Sequence, residues 1–478
     1  MKIYRGLKIP SIALMLVGLS LFWGYWTEFV LLKHNIGFSY LVFNIILLLP
    51  IFLLMKRGLN QNRYTKFLIL VVAILSMDIF YYNNEFVAKY LPFIVTFLIL
   101  IIYLSVMCRC SEFYQQFFIR FNIFRDSISI LKIFINNLFH KTDKTIIKRV
   151  AIGFLITIPF LIVFTILFSL SDGNFNIFIT NIFTFDKSKI IDISQMVLLS
   201  AIFLIGVIKI LSSNRKNSYK KPSKKELDII IIGIFLGMIN LLFISFVLFQ
   251  IKYFFGGLEF ITTSNINLAD YARSGFFELL IVMGLASIIL LYFYKNEIIS
   301  KYGNIIKTLQ ITLALQVLII GISSLNKIYI YQSMFGTTTL RYYIEWFTYF
   351  LIILLAVFMI FLIYKKSYSK FLNYSSIISL VALMIISSIN IDRLIVRNHI
   401  KLMEQNSSYR LDYNYLASLS IDAIEAVEFN VVYKQRLQNI LQVGFNSNRG
   451  KNCSDILDFH LGYCLKKDKM NKYKKGLK

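Results

Sequence analysis

The chain has 478 residues, of which 57% are hydrophobic and only 16% charged, with five prolines and a formal net charge of +26. A soluble domain this apolar lacks the polar surface to cover its core, which excludes a large soluble helical protein. The basic residues sit mostly in short links between apolar blocks and in the tail. That placement excludes a basic nucleic-acid binder and points to membrane topology and contact with anionic lipid headgroups.

Taken in order, the apolar blocks run about 18 to 24 residues, the length that crosses ~30 Å of hydrocarbon. The first, within "MKIYRGLKIPSIALMLVGLSLFWGYW", has a basic start like a signal peptide. Its apolar stretch is too long and no small-residue cleavage site follows, so it reads as a retained span. About eleven spans are expected, near 11–31, 37–55, 66–82, 90–108, 150–170, 193–212, 227–250, 275–294, 306–326, 341–364 and 371–390. The fold class is therefore an all-α polytopic membrane protein. By composition it divides into a four-helix segment (1–108), a basic amphipathic segment (109–149), a seven-helix core (150–393) and a partly helical tail (394–478).

Local features refine this picture. In 109–149, Phe113, Phe117, Phe121 and Phe124 recur at helical spacing among Arg120, Arg125 and Lys132. That pattern predicts an amphipathic helix in the membrane interface, with a tilted span as the alternative. Pro159, mid-span, should kink its helix. Gly233 and Gly237 have the small-xxx-small spacing that permits close helix packing. "YFFGG", ending at Gly256 and Gly257, reads as a turn.

One side of the alternating links, excluding the tail, carries roughly three times as many Lys and Arg as the other, which puts the N-terminus in the cytoplasm. Eleven spans would then leave the tail outside the cell membrane, and an even count would leave it inside. Cys453 and Cys464, in "CSDILDFHLGYC", either form a disulfide there or remain unpaired thiols.

The charged residues in or beside the spans share a face. Glu28, Asp78, Asp172, Lys327, Asp392 and Arg393 all fall at the ends that alternation assigns to the outer side, as do Arg273, Glu278, Arg341 and Glu345. Ionisable groups at membrane depth are costly, so they line a cavity or pair with one another. Glu278 lies about one turn inside its span, and Arg341 opens another span at similar depth. They are expected to pair, with Arg273 and Glu345 completing a cluster of two acids and two bases. Arg341 and Glu345 are also i,i+4 neighbours. The competing reading is that such charges only reach for the interface or fix helix register.

The sequence holds four histidines (His34, His140, His399 and His460), none central in a span, so the usual ligands of an intramembrane haem or zinc are missing. Walker-type glycine loops, G-x-S-x-G elbows and H-E-x-x-H motifs are absent too. No cofactor, metal or catalytic residue is expected.

Several segments, in order, resemble an uncharacterised family of bacterial multi-pass membrane proteins, a domain of unknown function. They are "LFSLSDGNF", "FVLFQIKYFFGG", "YARSGFFELL", "FGTTTLR", "NIDRLIVRN" and "LDYNYLASLSIDA", covering roughly residues 150–430. The resemblance implies that Arg273, Glu278 and Arg341 belong to motifs. It also implies that Asp412 and Asp422 belong to a folded helical piece near the last span. It brings no established activity. Three readings follow: solute or ion transport or ligand sensing through the outer cluster, a structural or regulatory partner of another membrane protein, and an embedded enzyme acting on a lipid-linked or envelope substrate.

Overall fold

A computed structural model of the chain describes residues 38–56, 63–108, 145–182, 228–263, 275–295, 303–364, 367–406, 409–427, 453 and 460–475. Among the described residues every regular element is a helix. In chain order they are α1 (Phe38–Lys56), α2 (Arg63–Tyr81), α3 (Glu85–Lys89), α4 (Leu91–Cys108), α5 (Ile146–Ser171), α6 (Gly173–Ile182), α7 (Ile229–Thr263) and α8 (Phe276–Lys295). There follow α9 (Gly303–Phe335), α10 (Thr339–Ile363), α11 (Tyr368–Ser388), α12 (Ile391–Gln405), α13 (Tyr413–Ser418), a 3₁₀ turn at Ile421–Ala423, α14 (Ile424–Val427) and α15 (Leu461–Lys475).

Among the described residues, seven stretches are long and apolar enough to cross a membrane: α2, α5, residues 229–250 of α7, and α8 to α11. Helices α1 and α4 also fall where spans are expected. The expected spans at 11–31 and 193–212, and the amphipathic segment up to residue 144, lie outside the described residues. The outward faces are apolar: on α5, Leu155, Ile158 and Ile162 are exposed, and Leu155 is 72% accessible. Such a surface suits hydrocarbon, which needs no polar cover.

The chain forms two compact units, each discontinuous in sequence: Met1–Arg120 with Ser333–Ile344 and Leu372–Lys478, and Phe121–Gln332 with Glu345–Phe371. In the first unit, Leu47 and Ile51 of α1, Leu68, Val72 and Leu75 of α2, and Val95 and Ile102 of α4 build the apolar core. Two polar side chains inside it meet each other. Asn44 Nδ2 donates to Ser76 Oγ at 3.1 Å, and Ser76 donates to the Val72 carbonyl.

In the second unit α5 packs along α7 and α8. An aromatic seam joins α5, α6 and α7, with Phe168 stacked on Phe246 at 4.0 Å and edge-on to Phe243 and Phe175. Aromatic pairs of this kind add about 0.5–1.5 kcal/mol each beyond area burial.

Two local expectations need correction. Helix α7 runs unbroken to Thr263, so Gly256 and Gly257 lie within a helix rather than a turn. The apolar run on both sides outweighs the helix penalty of two glycines, about 1 kcal/mol each. Gly233 and Gly237 do not make a close helix contact: a Cβ at Gly237 would meet nothing within 4 Å, and one at Gly233 only Ile306 at 3.9 Å. The tight approaches are elsewhere, at Gly153 against Ile234 (3.1 Å) and Gly321 against Met283 (2.8 Å). Small-residue spacing states where helices could approach, and the facing side chains decide where they do. Separately, α5 continues as one helix past Pro159.

Candidate functional site

Three of the segments that carry the family resemblance meet in the first unit. "FGTTTLR" leads into α10, "NIDRLIVRN" forms α12, and "LDYNYLASLSIDA" forms α13 and the 3₁₀ turn. The joints are hydrogen bonds between side chains of one segment and backbone of another. Thr337 N–H donates to Asn398 Oδ1 at 3.1 Å. Thr339 N–H donates to the Tyr415 hydroxyl at 2.8 Å, which supplies an acceptor at the open N-terminus of α10. Asp392 Oδ2 accepts from the backbone N–H and the hydroxyl of Ser420. Gly336, at φ +77, occupies the left-handed region, and a Cβ there would fall 2.2 Å from His399 Cε1.

His399 ties the segments together through both ring nitrogens. Nε2 lies 2.9 Å from the Thr337 carbonyl and Nδ1 lies 2.7 Å from the Tyr409 hydroxyl. A carbonyl can only accept, so Nε2 carries the hydrogen and Nδ1 accepts from the phenol. That pattern is the one a neutral ring makes. Burial pushes its pKa below the ordinary value, as does Arg341 to a smaller extent; the Thr337 carbonyl and Asp412 oppose the shift. Burial also raises the phenol of Tyr409 to about 12, which keeps it a donor.

Beside these joints is a cavity of about 400 Å³. The first turn of α10 forms one wall, with Thr338, Thr339 and Tyr343. Helix α3 contributes Glu85 and Phe86, the end of α13 contributes Ser418, and the residues just after it contribute Ser420. Asp392 and Tyr415 complete the lining, with Asp392 only 3% exposed. Asn84 fixes α3 by accepting from Val87 N–H at 2.9 Å.

The same unit contains a buried ionic clamp. Asp422 accepts the Asn83 N–H at 2.5 Å, the Asn83 side-chain amide at 3.1 Å and Lys466 Nζ at 3.0 Å. Lys466 also lies 3.6 Å from Glu425 and over the ring of Tyr81 at 4.5 Å. Glu425 meets Arg393 at 3.5 Å. Nearby, His460 contacts the Ile79 carbonyl at 2.9 Å, and Cys453 and Cys464 are joined by a disulfide with 5.7 Å between Cα atoms.

The second unit contains another buried centre, and three more resemblance segments meet at it. Asp172, 1% exposed, caps α6 by accepting from Phe175 N–H at 3.1 Å and receives the Gln250 amide at 3.1 Å. Gln250 in turn accepts from Ser323. Lys327, also 1% exposed, donates to the Ser171 carbonyl at 2.9 Å and lies 3.9 Å from Asp172. Gly275, at φ +100, packs against that same Ser171 carbonyl.

The residues singled out from sequence distribute as follows. Asp172 and Lys327 are brought together, and Arg393 reaches Glu425. Asp78 accepts from Ser387 and Ser388, at 2.7 and 2.9 Å. Glu278 lies half-buried in the first turn of α8, in the second unit. Arg341 belongs to the first unit and donates to the Gly336 carbonyl at 3.0 Å. Glu345 accepts from Gln332 at 3.0 Å. Glu28 and Arg273 lie outside the described residues. Sequence reasoning missed Gln250, His399, Tyr415 and Lys466. Only Gln250 had a visible signal, as the amide ending the apolar run "FVLFQ". Among the described residues no group of three His, Cys, Asp or Glu could hold a metal ion.

Membrane-length apolar helices, lipid-type outer surfaces and internally answered buried charges define an α-helical multi-pass membrane protein. Residues 11–428 match the model of a domain of unknown function, DUF4153, and the chain belongs to that family. The disulfide and α15 follow the matched residues. No curated protein and no solved structure matches the chain significantly.

Proposed function

We propose that this is a ligand-binding membrane protein, a solute transporter or a ligand sensor, whose recognition element is the cavity of the first unit. One observation carries this reading. Three separate segments of the chain are tied together by side-chain-to-backbone hydrogen bonds, and the junction borders a half-open cavity of about 400 Å³ lined by carboxylates, hydroxyls and aromatic rings. Small-molecule sites typically have that size and that mixture of apolar walls and a few polar groups.

The test is a thermal-shift screen of the purified protein against ions, amino acids, sugars and lipid headgroups, with Glu85→Gln and Glu278→Gln beside the natural chain. A ligand binding only the native state at 100 times its Kd adds ~2.7 kcal/mol. A hit lost in Glu85→Gln supports the cavity. A hit lost only in Glu278→Gln moves the site to the cluster expected from sequence, of Arg273, Glu278, Arg341 and Glu345. No hit at all favours a structural or regulatory partner of another membrane protein. Uptake into proteoliposomes then separates transport from sensing.

We further propose a bacterial cell-membrane location with the N-terminus cytoplasmic, basic links on anionic headgroups and the tail outside. The disulfide supports an oxidising, extracytoplasmic side for the tail. A membrane-impermeant thiol reagent, applied to intact cells after mild reduction, should label Cys453 and Cys464. Labelling only after lysis would put the tail inside.

A further inference from the structure

We infer that the cavity of the first unit takes an uncharged, polyhydroxylated ligand: a sugar, free or carried as a glycolipid headgroup. This rests on the reading of the cavity as a binding site. The argument is one of charge and hydrogen-bonding type. In a chain of net charge +26, no Lys or Arg is among the described residues that line the cavity, so an anion finds no counter-charge among them. The two acids that line it are already answered. Glu85 accepts from Lys89 at 2.6 Å, and Asp392 accepts from the N–H and hydroxyl of Ser420. A cation would have to compete with these partners.

What remains is hydrogen-bonding capacity of both kinds. The hydroxyl of Thr338 can both donate and accept, that of Ser418, which donates to the Tyr415 carbonyl at 2.6 Å, can still accept, and the carboxylate oxygens accept further bonds. A sugar hydroxyl also donates and accepts, so each can be matched without an ion. The cavity also offers an aromatic wall. Phe86 lies 5.3 Å from Tyr343 and 6.2 Å from Tyr90, ring centre to ring centre, tilted by 40° and 38°. The C–H face of a pyranose is apolar and packs on such rings, while its rim of hydroxyls turns to the polar groups.

The experiment uses the full chain in detergent and in lipid nanodiscs. Free hexoses, N-acetylhexosamines and disaccharides form one arm, and a glycosyl-diacylglycerol beside its unglycosylated parent forms the other. Choline and phosphate serve as charged controls. We expect one sugar chemistry to raise Tm by a few degrees, and Glu85→Gln and Tyr90→Ala each to raise its Kd roughly tenfold or more while the unliganded Tm stays near that of the natural chain. Response to the free sugar identifies a solute, and response to the glycolipid alone identifies a headgroup. A sugar whose affinity is unchanged in both variants would overturn the assignment. A charged control that binds and is lost in Glu85→Gln would overturn the sugar class and leave the cavity as a binding site. No binding in any arm would overturn both.

Discussion

Each unit holds a buried lysine–aspartate pair, and the two are built differently. In the first unit Lys466 and Asp422 meet at 3.0 Å, outside the candidate spans, with Glu425 and the rings of Tyr81 and Tyr82 also facing the ammonium. In the second unit Lys327 and Asp172 stand 3.9 Å apart at the end of a candidate span. There a neutral dipole lies closer to each charge than the opposite charge does: the Ser171 carbonyl to the lysine, Phe175 N–H and the Gln250 amide to the aspartate. A direct pair stakes both charges on one contact. Charges solvated separately depend on each other less. The first arrangement clamps a segment that lies after the family domain in sequence, and the second holds helix ends together inside it.

The largest expected effect follows from the direct pair. Asp422→Asn leaves Lys466 buried with Glu425, at 3.6 Å, as its counter-charge among the described residues, and removing one partner of a buried pair costs about 3–5 kcal/mol. Denaturation of the purified protein checks this. In a double-mutant cycle, Asp422→Asn with Lys466→Met should couple by more than about 1 kcal/mol. An additive result would end the claim that the pair acts as a unit.

Lys327→Met should cost less, about 1–3 kcal/mol, because Asp172 retains two hydrogen bonds. Its coupling to Asp172→Asn should be smaller than that of the first pair. Equal couplings would break the comparison.

Gly275→Ala sharpens it from the backbone side. The new Cβ would fall 2.1 Å from the Ser171 carbonyl oxygen, the atom that Lys327 uses, at a φ of +100. Backbone cannot give way as a side chain can, so a loss of about 1–3 kcal/mol is expected. Gly237→Ala, facing open space within a helix, should be neutral or slightly stabilising. Thermal denaturation of the two variants side by side gives the contrast.

The smallest effect is the pH dependence of the first unit. The folded-state pKa of His399 lies below the ordinary 6.5, so both states are neutral above that value and the full stability is present there. As pH falls through 6.5 the unfolded chain binds a proton that the folded chain resists, and stability declines. A fall in Tm between about pH 7 and about pH 5 that is flattened in His399→Gln is the expected result. An unchanged slope in the variant would assign the effect to another group.

Legibility followed contrast. Asp172 and Lys327 were visible because a charge at the edge of an apolar block stands out, and nine helices among the described residues sit where spans were expected for the same reason. Lys466 and His399 were hidden because they lie in segments as polar as themselves. The Gly233–Gly237 spacing misled because a glycine pattern describes one helix and says nothing of the residues opposite it.

The sequence by itself determined that this chain crosses a membrane many times. Hydrocarbon demands long apolar helices with their own hydrogen bonds, and that demand is written locally. It also determined which segments carry the family resemblance. Only the tertiary structure decided that these segments sort into two centres, and that Asp422 meets Asn83 across 339 residues. Such contacts depend on which faces are opposed in space, and no local pattern of side chains specifies that.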